Sequence, residues 1–281
     1  MSGAQMAWIA GGRLHLHHGP IDMIVGAEGP GRKAGLERAA DAFGGLLQGL
    51  VEELPRLRMD AGPMPRGAVA RRMVAAVTPF APEFITPMAA VAGAGAEAIL
   101  QALCDGPGIS RAYVNNGGDV AFHLDGGRGM RAAVAGGVPG LLRIAARDPW
   151  RGLATSGQGG RSHSLGIAES VTVLARGAAL ADAAATMIAN WVDLPGHVAI
   201  LRVPACEVAP DSDLGARRVV RHVGSLAPDE VAQALDRGAY YAQGLRMRGL
   251  IGGAVLALRG QVRIVGDLPL VTSQEREAVN A

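Results

Sequence analysis

The sequence predicts an α+β fold in which mixed or antiparallel sheets are flanked by helices. Paired runs of alternating apolar residues, each pair joined by a short glycine-containing turn, occur at residues 13–25, 110–124 and 250–265 and predict strand pairs. Apolar residues at helical spacing occupy residues 33–54 and, in an alanine-rich form, residues 178–189, which predicts long helices between the strand pairs.

The remaining elements follow from the same patterns. Further helices are expected at 68–77, at 87–103 and from Ser225 to about residue 242. Further strands are expected at 130–138, 141–146, 152–157, 170–174 and 197–203, with residues 208–223 irregular. No fixed-period repeat and no linker interrupts the chain, so we expect a single domain over residues 1–281.

Composition argues against a nucleic-acid partner. The formal net charge is +2, the basic residues are scattered, and the chain has only three Trp, three Tyr and four Phe residues, so that a basic stripe with stacking platforms is lacking. Lys33 is the single lysine, and no G-x-x-x-x-G-K-[ST] segment is present, which excludes a Walker-type phosphate loop. Cys104 and Cys206 match no zinc-binding spacing.

The N-terminal segment predicts a cytoplasmic protein. It lacks a basic region followed by an apolar core and has no lipid-attachment cysteine. No window reaches roughly 18 uninterrupted apolar residues, so we expect no membrane partner and interpret the alanine-rich helices as core helices.

Two polar residues on the helix at 178–189 form the first candidate site. Asp182 and Thr186 are four residues apart, so their side chains lie on one helix face. Their oxygens are suited to a hard cation such as Mg²⁺, which keeps waters that a phosphate substrate can replace. Alternatively, Asp182 interacts with the helix dipole in the first turn and Thr186 is merely tolerated.

Three glycine-rich or histidine-rich segments leave alternatives open. The helix start at 90–96 has only Ala, Val and Gly, which suits either a ligand against the backbone or close helix packing. The loop at 26–32 is a ligand-contacting segment or a plain turn. His15, His17 and His18 form a zinc site, a polar strand face or a group that contacts substrate.

Five short motifs resemble those of the ApbE-like superfamily, whose best-known members are FAD:protein FMN transferases. The family shows, in order, GIAKGYA, V-N-x-G-G-D, A-T-S-G followed by a histidine segment, S-V-T-V and A-D-A-L-A-T-A-L. This chain has AVAGAGA at 90–96, VNNGGD at 114–119, ATSG at 154–157, SVTV at 170–173 and ADAAATM at 181–187. The N-terminal RLHLHHGPIDMIVGAEG resembles a separate ApbE-related branch.

The resemblance implies an ApbE-like domain and a set of site residues. It implies Mg²⁺ held by Asp182, Thr186 and the backbone carbonyl of Ala92, with Asp182 also counted as catalytic. It further implies a flavin or nucleotide pocket and phosphate contacts formed by the residues Asn116, Gly117, Gly118, Asp119, Thr155 and Ser156. His163 corresponds to the histidine of the family's H-I-x-D-P-x-T-G segment, and Arg161 is suited to stabilise phosphates.

The implied activity is Mg²⁺-dependent chemistry on FAD, either FMN transfer to a target protein or cleavage of the FAD diphosphate. The chain departs from the family in three places: Ser164, Leu165 and Gly166 replace the continuation toward D-P-R-T-G, Gly93 replaces the lysine of GIAKG, and Met88, Ala89 and Ala90 replace the acidic L-D-L-G-G that precedes it. Two alternatives follow, namely the same fold acting on a pterin-like or other ring-plus-phosphate cofactor, and non-catalytic flavin binding. A homo-oligomer is left open.

Overall fold

The structure is a computed structural model that describes residues 3–134, 141–160, 163–268 and 270–271. It confirms the predicted α+β class. The described α-helices are α1 (Arg32–Glu52), α2 (Leu54–Leu57), α3 (Ala68–Val77), α4 (Val91–Cys104), α5 (Ala178–Trp191), α6 (Ala205–Val208) and α7 (Pro228–Met247).

The strands alternate with these helices along the chain. They are β1 (Gln5–Ile9), β2 (Arg13–His18), β3 (Ile21–Glu28), β4 (Arg111–Asn116), β5 (Asp119–Leu124), β6 (Gly129–Ala133), β7 (Leu141–Ala145), β8 (Gly152–Ser156), β9 (Ser170–Ala175), β10 (Ile200–Pro204), β11 (Arg218–Val223), β12 (Ile251–Leu258), β13 (Gln261–Val265) and β14 (Leu270–Val271).

The chain divides into two compact units. The first comprises Met1–Met130, Ala145–Ala154 and Arg176–Ala183; the second comprises Arg131–Ile144, Thr155–Ala175 and Ala184–Ala281. The boundary runs through α5, between Ala183 and Ala184. A single domain over residues 1–281 stays a prediction.

The first unit is an antiparallel sheet covered by α1 and α4. Its strands follow the order β1-β2-β3-β4-β5-β8. Period-2 alternation buries one face, and α1 closes that face with Leu36 and Phe43, which are 1% and 0% exposed. One cross-strand row of this face runs Leu16–Met23–Asn116–Asp119, so the β4–β5 turn lies where the buried face ends.

The second unit contains β9, β12 and β13, which pair antiparallel in that order. Every residue of β9 is buried, as its β-branched composition predicts. Helix α7 packs on β12 and β13 through a stripe that includes Val231, Ala234 and Leu235. Strands β10 and β11 form a separate ribbon, and β14, β7 and β6 form a three-stranded sheet in that order.

The structure corrects the prediction in several places. Strand β1 was missed because its burial pattern lacks the alternation that a half-buried strand shows. The prediction that residues 208–223 are irregular is wrong for β11, whose buried Val219 and Val220 stand between arginines. The predicted strand at 130–138 is β6 as far as Ala133, and residues 135–140 lie outside the described residues.

Two helix boundaries also differ from the prediction. Helix α7 has Ala227 as its N-cap instead of beginning at Ser225, and it continues beyond residue 242 to Met247. It extends because Leu245 keeps the buried spacing, and it stops before Gly249, whose φ is +71°. The predicted helix at 87–103 begins as a 3-10 turn, Pro87–Ala90, before α4.

One stretch, Pro87–Cys104, is long and apolar enough to cross a membrane by length and composition alone. Core helices pass the same test. In this structure 44% of the stretch is buried inside the protein, and Ala94, Ala96, Ile99 and Leu103 are core residues. The observed packing is that of a core helix.

Candidate functional site

In the first unit, the carboxylate of Asp182 lies at the N-terminus of α4. Its Oδ2 accepts a hydrogen bond from the backbone N–H of Gly93 at 3.1 Å, and the N–H of Ala92 donates to the same carboxylate. Both amides belong to the first turn of α4, whose N-cap residue Ala90 offers no side-chain acceptor. Asp182 therefore supplies from another helix the acceptor that an N-cap usually provides.

Helix α4 returns a matching contact to α5. Glu97 Oε1 accepts a hydrogen bond from the backbone N–H of Ala179 at 3.0 Å, in the first turn of α5. Glu97 Oε2 forms an ion pair with Nε of Arg72 at 3.1 Å. The first turns of the two helices are thus capped reciprocally, each by a carboxylate from the other helix.

Small residues allow this close approach. A Cβ placed on Gly93 would lie 2.2 Å from the carbonyl oxygen of Ala178, and one on Gly177 would lie 2.4 Å from Glu97 Oε1. Of the two alternatives for the start of α4, close helix packing accounts for Gly93. A lysine at this position, as in the family motif, would place its Cβ against the backbone of α5.

The β4–β5 hairpin brings predicted pocket residues to α4. Gly117 and Gly118 form its turn with φ values of +63° and +114°, which favour glycine. Asn116, 6% exposed, donates from Nδ2 to the carbonyl oxygen of Ala92 at 3.0 Å. Asp119 follows the turn and is 8% exposed. The hairpin, the start of α4 and Asp182 therefore form one cluster within the first unit.

Electrostatics single out Asp182 in this cluster. Burial raises the pKa of Asp182 well above its usual range, and the charge of Asp119 raises it further, while the amides of Gly93 and Ala92 oppose the rise. Among the residues that the structure describes, no Arg, Lys or His pairs with Asp182. A cation placed between the two carboxylates would relieve their repulsion.

The donor set agrees only in part with the metal ligands expected from the sequence. Asp182 and Asp119 are hard oxygen donors suited to Mg²⁺, but the Ala92 carbonyl already accepts the Asn116 amide. No group of three or more His, Cys, Asp or Glu residues that could hold a metal occurs in the described part of the chain. The residues present fit a Mg²⁺ ion that takes its remaining ligands from water or substrate.

The second unit carries the predicted hydroxyl residues. Thr155 Oγ1 lies 2.9 Å from Thr172 Oγ1, and Thr186 Oγ1 donates to Ser156 Oγ at 3.5 Å, a long and therefore weak contact. The two pairs link β8 to β9 and to α5. Thr186 follows Asp182 by one turn of α5, which agrees with the predicted spacing.

Asp182 does not lie in the first turn of its own helix. Helix α5 begins at Ala178 and has no acidic residue in its first turn. The alternative that Asp182 interacts with the dipole of α5 is therefore wrong. The dipole that it meets is that of α4.

Of the remaining predicted catalytic residues, only His163 is described by the structure. His163 lies in the loop between β8 and β9 and makes no hydrogen bond or ion pair with any other described residue. Arg161 lies outside the described residues. The catalytic roles of both stay predictions.

The histidines of β2 form a polar strand face. His15 Nε2 lies 3.2 Å from both carboxylate oxygens of Asp22, and the His15 and His17 ring centroids are 6.5 Å apart. His18 points the other way, with its Nδ1 buried and without a hydrogen-bond partner. Since these side chains belong to no metal-ligand group of three in the described residues, the zinc alternative is not supported.

Two residues that contact the predicted site segments were not predicted from the sequence, Glu97 and Thr172. Glu97 is four residues after Gly93 on one face of α4, and that spacing could have linked it to the packing site. Thr172 lies within the predicted strand at 170–174, where a buried threonine in an apolar run signals a polar partner.

Comparison with known proteins gives partial sequence matches to curated relatives. The chain is 37% identical over 110 residues to a UPF0280 protein of Archaeoglobus fulgidus, covering 38% of this chain and 45% of that protein. It is 40% identical over 134 residues to a UPF0280 protein of Methanopyrus kandleri, covering 43% of this chain and 48% of that protein. The match thus spans less than half the length of these relatives.

One solved structure aligns with this chain over its full length at low similarity. It is the crystal structure of the Pseudomonas stutzeri flavinyl transferase ApbE in its apo form, with 13% sequence identity, a TM-score of 0.44, and coverage of 100% of this chain and 99% of that chain.

A family model gives the assignment. The model described as AbpE bacteria matches residues 6–264, which is most of the 281-residue chain. The chain therefore belongs to the AbpE bacteria family, and the ApbE-like resemblance inferred from its motifs is confirmed.

Proposed function

We propose that the protein is a Mg²⁺-dependent enzyme that acts on a flavin nucleotide, either transferring FMN from FAD to a target protein or cleaving the FAD diphosphate. One observation carries the proposal. The partly buried Asp182 carboxylate has the Asp119 charge beside it and has no cationic partner among the described residues. Such a pair of carboxylates favours a bound cation.

Within the first unit, Asp182 is the proposed ligand of the Mg²⁺; the expectation that Thr186 and the Ala92 carbonyl complete its ligands stays a prediction. When bound, the ion would neutralise the charge of the FAD diphosphate. Asn116 orients the start of α4 through its hydrogen bond to Ala92, and Asp119 sets the local negative charge. These residues therefore position the acidic oxygens at the turn of the β4–β5 hairpin.

In the transfer reaction, a hydroxyl oxygen of the target forms a bond to the FMN phosphorus and gives up its proton, while the phosphoanhydride bond breaks and AMP leaves. In the cleavage reaction, water replaces the hydroxyl and the products are FMN and AMP. Thr155 and Ser156 are proposed to contact the phosphates, Arg161 to stabilise their charge and His163 to handle the proton.

The same site could serve another ring-plus-phosphate cofactor, such as a pterin. The segment from His163 favours this second candidate, because Ser164, Leu165 and Gly166 replace the continuation toward D-P-R-T-G. Gly166 is fixed against α5: a Cβ there would lie 2.1 Å from the Ala189 carbonyl oxygen. Non-catalytic flavin binding is the third candidate, and a requirement for Asp182 in turnover would argue against it.

The proposal is tested by incubating the purified protein with FAD and Mg²⁺ and following AMP release by chromatography. The matched variants are Asp182→Asn, which keeps an amide acceptor for α4, and Asp182→Ala. We expect AMP from the wild type only with Mg²⁺ and from neither variant. Equal AMP release by Asp182→Asn would refute the metal role, and tight flavin binding without AMP would favour the carrier function.

A further inference from the structure

A second pocket lies in the first unit, at the opposite end of β3 and β4 from the Asn116–Asp119 hairpin. It has a volume of about 490 Å³, and its principal side chains are those of Arg13, Arg32, Arg111, Glu28 and Tyr113. Arg111 and Asn116 begin and end β4, and Tyr113, the lining residue of β4 nearest to the hairpin, is three residues from Asn116, about 10 Å along the strand at roughly 3.3 Å per residue. The pocket is therefore distinct from the candidate site described above.

Glycines make room for the pocket's larger side chains. Gly26 pairs with Tyr113 across β3 and β4, and a Cβ on Gly26 would lie 2.4 Å from Tyr113 Cε1. Gly12 has a φ of +62°, and a Cβ there would lie 2.0 Å from Nη2 of Arg32. The Tyr113 ring and the Arg32 guanidinium thus occupy space that any other residue at positions 26 and 12 would fill.

Cationic charge dominates the pocket. Arg111 forms an ion pair with Glu28, so three arginines and one glutamate leave a net charge of +2 on the lining. Within the described part of the chain, no carboxylate pairs with Arg13 or Arg32. This positive charge favours the binding of an oxyanion, and its size matches that of a dianion.

The two arginines without carboxylate partners are held by backbone carbonyls. Nε of Arg13 donates to the Ala10 carbonyl at 2.9 Å, and Nη2 of Arg32 donates to the Gly12 carbonyl. A guanidinium has five N–H donors, so each side chain is anchored by one of them and keeps others for a ligand. Anchoring lowers the entropy lost when the arginine binds an oxyanion.

From this geometry we infer that the pocket binds a phosphate dianion carried on a small molecule with a planar ring. Arg13 and Arg32 bind the phosphate oxygens, and the Tyr113 ring contacts the apolar part of the ligand. The volume lies within the range of small-molecule sites. This site goes beyond the proposed flavin chemistry and does not depend on it.

The test is isothermal titration of the full chain with inorganic phosphate and with phenyl phosphate, at low salt and without FAD or Mg²⁺. We expect phenyl phosphate to bind and its affinity to fall about tenfold or more in Arg13→Ala and in Arg32→Ala, as for the loss of one charge-assisted hydrogen bond. Arg71→Ala, an exposed arginine of α3 in the same unit, is the matched control and should bind as the wild type does.

The Tyr113→Leu variant tests whether the pocket binds a phosphate carried on a ring or inorganic phosphate. Weaker binding of phenyl phosphate alone in this variant supports the ring-bearing ligand, whereas equal and unchanged binding of both probes assigns the pocket to inorganic phosphate and overturns the ring contact. Absence of binding to the wild type, or unchanged affinity in a folded Arg13→Ala protein, overturns the site. Arg13 is anchored to an exposed turn, so we expect the Arg13→Ala protein to fold. It therefore tests phosphate binding even if Arg32→Ala unfolds.

Discussion

At the scale of single residues, Asp182 has two separable roles. Its carboxylate accepts amide hydrogen bonds at the start of α4, and its negative charge is the feature that would attract a cation. An alanine removes both, whereas an asparagine removes the charge and keeps a carbonyl acceptor. The two substitutions therefore separate the structural role from the proposed catalytic one.

We predict that Asp182→Ala lowers the free energy of unfolding by about 1–2 kcal/mol, because two amides of α4 lose their acceptor. Asp182→Asn should unfold at or above the wild-type denaturant midpoint, since it also removes the repulsion with Asp119. Urea titration followed by circular dichroism measures both. A large loss of stability in Asp182→Asn would show that the charge itself holds the two helices together.

The sequence located Asp182 and Asn116 as site residues but not their partners. Asp182 contacts an amide 89 residues away in the chain, and a backbone N–H leaves no signature in the identity of its residue. Glu97 was missed for the same reason. Side-chain chemistry is readable from sequence, whereas the backbone groups that satisfy it depend on how the helices pack.

At the scale of elements, glycines act in opposite ways according to what lies beside them. Gly93 of α4 faces the backbone of α5, whereas Gly49 lies on the exposed face of α1 with nothing within 4 Å of a Cβ placed on it. Glycine inside a helix is unfavourable unless its small size is needed. The two positions therefore make a matched pair.

We predict that Gly93→Ala destabilises the protein by about 1–3 kcal/mol, as expected when a packed contact must move apart. Gly49→Ala should stabilise it by about 0.5–1 kcal/mol through helix propensity. Thermal unfolding of both variants measures the difference. Equal effects at the two positions would contradict the close packing of α4 on α5.

A second prediction at this scale concerns the start of α7. Glu230 Oε2 accepts the Ala227 N–H at 2.7 Å and Oε1 lies 2.9 Å from His197 Nε2, and these contacts lower the pKa of Glu230. The stability that these contacts contribute is therefore fully present at pH values above the pKa of Glu230 in the unfolded chain. It is lost as the pH falls through the lowered pKa of the folded protein. Glu230→Gln should show a smaller drop in melting temperature than the wild type between about pH 6 and about pH 3. An identical drop would contradict it.

Elements were predictable where local pattern and packing agree. Helix α3 occupies the predicted residues because its apolar spacing is unambiguous, and the β4–β5 hairpin follows from its Asn-Gly signal. Strand β11 was missed because arginines flank its two buried valines. A two-stranded ribbon with few buried positions carries too weak a pattern to be recognised before its partner β10 is known.

At the scale of the whole molecule, the predicted site residues divide between the two units. Ala92, Asn116, Asp119 and Asp182 belong to the first, and Thr155, Ser156 and Thr186 to the second. Of the described helices, only α5 carries metal-ligand candidates from both units, namely Asp182 and Thr186. Sequence motifs in the expected order gave the family, but the partition into units required coordinates, because four of the five unit boundaries fall inside continuous elements.

We predict that Mg²⁺ together with FAD raises the melting temperature of the wild-type protein by about 5 °C at a hundredfold excess over Kd. Asp182→Asn should show no Mg²⁺-dependent part of this shift. Differential scanning fluorimetry with Mg²⁺ and FAD varied separately provides the measurement. A full shift in the variant would place any bound metal elsewhere.

The single lysine has a practical consequence for following ligands. Lys33 is exposed in the first turn of α1, directly after Arg32 of the basic pocket. Among the side chains, an amine-reactive fluorophore therefore attaches at one position, one residue along the chain from a lining arginine of that pocket. Its emission can report occupancy in real time without any engineered labelling residue.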